Sequence, residues 1–205
     1  MRVLTRTLTG AAATGAAVVA ALGLAAGPAS AAVTSATVTG GGSFSAASGA
    51  VVFKDATTGF SVTCASDTVA GVAPNGTYTT GAPTAIRVGS LSSGTFTSCA
   101  YALGPLSFAA QSVPWPVDVT GPTSAGVTAI SMPGAVLHMT GACAATLTGT
   151  VSGTYSDSGH SLSLNGGSLT ASAVSGTCVG LSNGDTFTLT GALIFSPATL
   201  VIQAV

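Results

Sequence analysis

The chain contains no glutamate and a single lysine, Lys54. Its 205 residues carry only four Lys or Arg and five acids, and two of those cations, Arg2 and Arg6, fall in the first ten residues. From Ala32 onward the strong bases are Lys54 and Arg87, set against Asp55, Asp67, Asp118, Asp157 and Asp185. Gripping a phosphate backbone takes several Lys or Arg contacts, so nucleic acid is excluded as a partner. Anionic membrane surfaces are disfavoured for the same reason. Acid–base chemistry is short of groups too, because His138 and His160 are the only histidines. The usual surface helix formers Lys, Glu and Gln are nearly missing, and no segment after residue 31 shows an apolar stripe at helical spacing. No Gly-rich loop precedes a helix, so no nucleotide and no cofactor is expected. The four cysteines include no close C-x-x-C pair, which argues against a metal site.

Residues 1–31 read as an export signal. Arg2 and Arg6 precede an apolar Ala- and Gly-rich run over 11–27, Pro28 interrupts it, and Ala29-Ser30-Ala31 has the small-x-small form of a cleavage site. Cleavage before Ala32 leaves 174 residues, enough for one domain with its own core. The apolar run is short for a spanning helix, so the mature chain is expected to be secreted, with no transmembrane segment. Solubility must then rest on Ser, Thr, Asn and backbone groups.

What is abundant is the chemistry of strands and turns. Short segments rich in Thr, Val, Phe, Tyr and Ile alternate polar with apolar residues, the period-two pattern of a strand buried on one face. In the C-terminal run, Phe187, Leu189, Ala192 and Ile194 mark the buried side, with a shift at Gly191. Asn75-Gly76, Asn165-Gly166 and Asn183-Gly184 are hairpin signals, because both residue types tolerate positive φ. Pro105, Pro114, Pro116, Pro122 and Pro133 divide the middle of the chain into short strands joined by exposed turns. The expectation is an all-β domain over 32–205, an antiparallel β-sandwich or barrel.

Four cysteines in an exported chain imply two disulfides. Cys64 and Cys99 are 35 residues apart, and so are Cys143 and Cys178. This spacing favours pairing Cys64 with Cys99 and Cys143 with Cys178, each worth about 4 kcal/mol in the chain-entropy account. It also suggests an internal repeat, approximately 60–108 and 139–187. Thr68, Gly71 and Gly81 recur 78 residues on as Thr146, Gly149 and Gly159, and Gly89-Ser90-Leu91 recurs as Gly167-Ser168-Leu169. Phe108 and the cysteines recur at 79, and Gly76-Thr77-Tyr78 recurs at 77 as Gly153-Thr154-Tyr155. The competing explanation is convergence of two low-complexity sheet regions on one composition.

Candidate chemistry is thin. Gly180-Leu181-Ser182-Asn183-Gly184 fits the G-x-S-x-G elbow, but a strand-like run follows it and no histidine lies downstream. Asp157 and His160 share a segment with the composition of a turn, and His138 reads as a strand residue. Trp115 is the lone tryptophan, held between Pro114 and Pro116. It is either a platform for an apolar or carbohydrate ligand or a plug at one end of the core.

The stretches "GGSFSAASG", "SVTC", "TFTSCA" and "VPWPVDV" together resemble uncharacterised small secreted bacterial β-proteins. More loosely, the order strand–Cys–strand–Cys–Pro-Trp is similar to the exported alkane-oxidation activator family. That resemblance implies an extracellular accessory or matrix role and brings no catalytic residue with it. The expected function is therefore a non-catalytic extracellular structural, matrix or surface-interaction role. The alternatives are a binding protein for an apolar or carbohydrate ligand, and a secreted hydrolase using His138 or His160.

Overall fold

The computed structural model describes residues 32–79 and 85–205. The expected leader, 1–31, lies outside the described residues, as does Gly81 of the proposed repeat. Thirteen strands follow one another with no helix among the described residues: β1 (Ser35–Thr39), β2 (Gly42–Ser48), β3 (Val51–Asp55), β4 (Ser61–Ala73), β5 (Gly76–Thr79), β6 (Ile86–Ala100), β7 (Leu106–Gln111), β8 (Trp115–Val119), β9 (Val127–Gly141), β10 (Cys143–Ser156), β11 (Ser161–Gly176), β12 (Thr186–Ser196) and β13 (Val201–Ala204). β2 and β3 are consecutive pieces of one broken strand, since both lie between β4 and β12. β7 and β8 likewise share the space between β6 and β9. Each broken strand counts once in an eight-stranded, closed, antiparallel barrel whose strands neighbour each other in chain order. Of the two all-β architectures compatible with the sequence, the chain adopts the barrel, which leaves its wall without a free edge.

Alternation decides which side of the wall faces in. On β10 the inward series is Cys143, Ala145, Leu147, Val151 and Tyr155, all buried, while Thr146, Thr148, Thr150 and Thr154 face outward. Eight strands enclose a space that side chains can fill. One half of this interior is an aromatic plug, with Phe53 stacked on Phe108 at 3.9 Å between centroids and edge-on to Phe96 at 5.4 Å. In the other half Phe195 lies between Phe44 and Tyr155. Burying each such side chain contributes about 1.5–3 kcal/mol. Outside, hydroxyl pairs such as Thr68–Thr95 (2.8 Å) and Ser107–Thr140 (2.9 Å) supply the polarity that charges do not.

The extra strands form a three-stranded sheet, β13–β1–β5, against one end of the barrel. Its apolar side, with Val38, Leu200 and Ile202 buried, covers that opening. At the opposite end lie both disulfides, Cys64–Cys99 and Cys143–Cys178.

Two strand pairs share an unusually close approach. A Cβ on Gly71 would stand 2.3 Å from the Ser90 carbonyl oxygen, and one on Gly89 2.4 Å from that of Val72. On the β10–β11 pair, a Cβ on Gly149 would stand 2.0 Å from the Ser168 oxygen, and one on Gly167 2.2 Å from that of Thr150. Only glycine permits backbones to cross so tightly, and every participant in the second crossing lies 78 residues after its counterpart in the first.

Three local expectations are corrected. Alternation on β12 runs through Gly191 without a shift, so Leu193 and Phe195 are buried while Ile194 is 57% exposed. Gly191 occupies an inward position at which the Ala50 carbonyl crosses too closely for a side chain, a Cβ there lying 2.7 Å from its oxygen. Asn165-Gly166 is not a hairpin turn; it lies within β11, beside irregularities in the pairing with both neighbours. Asn75-Gly76 does not join a paired hairpin, because β4 continues past it into β5 of the end sheet, and the Asn75 side chain accepts the Gly41 N–H at 2.7 Å.

Candidate functional site

Trp115 is 4% exposed, and its Nε1–H donates to the Gln111 carbonyl at 2.8 Å. The indole therefore lines the barrel interior and offers no face to solvent for stacking on a ligand. His138 faces outward near the C-terminal end of β9. His160 lies in the turn between β10 and β11, with Nδ1 3.3 Å from the Leu200 carbonyl oxygen. The two histidines thus occupy separate structural settings. Ser182, in the elbow-like pentapeptide, donates its backbone N–H to Asp185 at 2.7 Å, within a turn that leads into β12. Among the described residues no group of three or more His, Cys, Asp or Glu could hold a metal ion.

The acids are occupied. Burial alone would raise the Asp55 pKa, but hydrogen bonds from Thr58 and Thr57 outweigh that effect and hold it below the ordinary carboxylate value. Asp118 accepts from Arg87 Nε at 3.2 Å. Asp157 accepts the Ile202 N–H at 2.9 Å and a bond from Gln203, fastening β13 to the β10–β11 turn. Asp67 points inward beside Phe96 and accepts from Ser48, with its pKa raised by burial against that one opposing hydrogen bond. The Tyr155 hydroxyl donates to the Leu200 carbonyl at 2.7 Å, and burial together with the nearby Asp157 charge pushes its pKa up to about 12.

The richest convergence of loops is at the disulfide end. Cys64 and Cys99 face each other directly across β4 and β6, both fully buried. Cys178 lies beyond the end of β11 in a segment, 177–185, that crosses the barrel mouth. This segment is bonded to every other loop there. Thr177 N–H donates to Ala142 O at 2.9 Å, Val179 N–H to the Tyr101 hydroxyl at 2.7 Å, and Thr58 Oγ1 to Gly180 O at 2.8 Å. Leu181 is buried beneath it. Beside this latch, Phe60, Tyr101 and Val179 border an open groove. None of those three was singled out by sequence reasoning, although Tyr101 and Val179 stand two and one residues after Cys99 and Cys178.

Fold and site define a disulfide-braced up-and-down β-barrel with a packed interior and a latched mouth. No protein-family model, curated protein or solved structure matches the chain.

Proposed function

We propose that the chain is a secreted, non-catalytic barrel with a structural, matrix or surface-interaction role outside the cell. The observation that carries this reading is the employment of its acids. Four of the five aspartates from Ala32 onward hold structure together, Asp55 with Thr57 and Thr58, Asp118 with Arg87, Asp157 with β13 and Asp185 with Ser182, while the fifth, Asp67, is buried in the wall and accepts from Ser48. Among the described residues none of the hydrogen bonds these carboxylates make is to a histidine or to another acid, the contacts that general acid–base chemistry would use. Two disulfides suit an oxidising compartment, and the leader-like residues 1–31 supply a route to it. The wall also argues for an aqueous setting. Its outer face is Thr and Ser and its lumen apolar, the inverse of a barrel that faces lipid. The likeness to exported accessory proteins in "TFTSCA" and "VPWPVDV" points the same way.

The barrel reads as a duplication. Each half has four strands, β2/β3–β4–β6–β7/β8 and β9–β10–β11–β12, and its own disulfide. The matching glycine crossings at a constant displacement of 78 support this better than composition does. The functional reading is tested by incubating the purified, disulfide-bonded protein with polysaccharide, ester and peptide substrates. No turnover is expected, and turnover lost on replacing His138 or His160 would overturn the proposal in favour of a hydrolase.

A further inference from the structure

The two cysteines that close the disulfides are each followed at once by a wall of the same groove. Ala100, Tyr101 and Ala102 follow Cys99, and Val179 follows Cys178. Phe60 and Ser61, at the start of β4, form the remaining side. The groove is open to solvent and spans about 390 Å³, room for a small molecule lying against its walls with one side still wet. The more enclosed hollows beneath the end sheet, about 40 Å³, and beside Trp115, about 20 Å³, are too small to admit more than a water-sized group.

We propose that this rim groove binds a small, uncharged, predominantly apolar ring compound. The walls are fixed in advance, which lowers the ordering cost of binding. The Tyr101 hydroxyl accepts the Val179 N–H at 2.7 Å and donates to the Thr177 carbonyl at 3.4 Å, tying one wall to the other. The Phe60 carbonyl accepts the Asp55 N–H at 2.7 Å, and its ring packs edge-on against Tyr101 at 5.4 Å and Phe187 at 6.2 Å. The lining chemistry selects the ligand. Among the described residues no charged side chain borders the groove, so an ion finds no counter-charge there. The Tyr101 hydroxyl is already engaged as donor and as acceptor, which leaves Ser61 as the other polar side chain in the lining. A sugar would bring several hydroxyls to a surface with few partners for them. An apolar ring needs none, and covers surface that is otherwise wet: Val179 is 63% exposed, and neighbouring Leu103 is 46% exposed.

The test titrates the oxidised protein with N-phenyl-1-naphthylamine, an uncharged fluorophore, and separately with a methyl glycoside. Saturable one-site binding of the fluorophore is expected, with none of the glycoside. Val179→Asp places a charge on the exposed wall without touching the core, and is expected to weaken binding at least tenfold. Tyr101→Phe keeps the ring but unties Val179, and is expected to weaken it several-fold. Val127→Asp, an exposed position near the opposite end of the barrel, should leave it unchanged. Absence of fluorophore binding, binding indifferent to Val179→Asp, or preference for the glycoside would each overturn the assignment. Those results would leave the non-catalytic reading standing, whereas turnover would refute that reading and leave the groove intact.

Discussion

Asp67 shows how a single side chain can oppose the fold that contains it. The residue is 2% exposed, yet among the described residues Oδ1 has no hydrogen-bond partner and Oδ2 has only the Ser48 hydroxyl. Burial raises its folded-state pKa above the unfolded value of 3.8. The native state therefore holds the Asp67 proton more tightly than the unfolded chain does. Its contribution is fully present below pH 3.8 and is lost as pH rises through the folded pKa. At pH 7 the ionised group is a net cost. Asp67→Asn removes the charge, keeps the shape, and can still accept from Ser48. It is expected to stabilise the protein at pH 7 by about 1–3 kcal/mol, because a neutral amide costs less to bury than an ionised carboxylate with one hydrogen bond. The gain should vanish at pH 3, where wild type carries the proton itself. Thermal melts of both proteins at the two pH values measure this, and equal or lower stability of Asp67→Asn at pH 7 would refute it. Asp55 carries the opposite sign, since its pKa is lowered, but it is present in both proteins and cancels from the difference.

Among the connecting segments, the latch 177–185 is the one whose hold on the molecule can be released selectively. The sulfurs of Cys64 and Cys99 belong to fully buried residues of the wall, while Cys178 is only partly buried. Thiolate attack requires access, so a mild dithiol is expected to reduce Cys143–Cys178 well before Cys64–Cys99. Timed alkylation followed by peptide mass analysis reads the order directly. Simultaneous labelling of all four cysteines would show that the latch is not the weaker clamp. The latch also illustrates what sequence can convey about elements. The first part of β12 is legible because Phe187 and Leu189 alternate with Thr, and the Asp157–His160 turn is legible from its composition. The inward face of β12 was misjudged beyond Gly191, because Ala192 sits equally well on either side of a sheet and Ile194 is exposed despite its apolarity. The rim groove was not legible at all. Phe60, Ala100 and Val179 are separated by tens of residues, and only closure of the barrel brings them together. Trp115 was visible as special, but local prolines say nothing about whether a ring points into a closed interior or away from it.

For the molecule as a whole, closure of the barrel and the proposed duplication together predict where the chain can be opened. The N- and C-terminal strands β1 and β13 are paired, with Ala36 opposite Ala204, and Thr34 N–H donates to Val205 O at 2.7 Å. A short glycine–serine linker can therefore join residue 205 to residue 32 without spanning the barrel. The boundary between the two four-stranded halves is the turn between β8 and β9, where Ala125 is exposed at a positive φ of 50°. Exposed turn tips are where new termini are best tolerated. A permutant beginning at Gly126 and ending at Ala125 would place the second half first in the chain, with each disulfide still inside its own half. If the halves are equivalent modules, their order along the chain does not matter to the closed barrel. The permutant is expected to form the same two disulfides and to melt in one cooperative step. It loses chiefly the Ser124–Val127 bridge of the cut turn, which is hydrogen-bonded in both directions. A matched control opened at Val151, within β10 and inside the second half, should fail, because it severs a strand paired on both sides. Disulfide mapping that links the halves in the first permutant, or equal folding of both permutants, would remove the support for two modules.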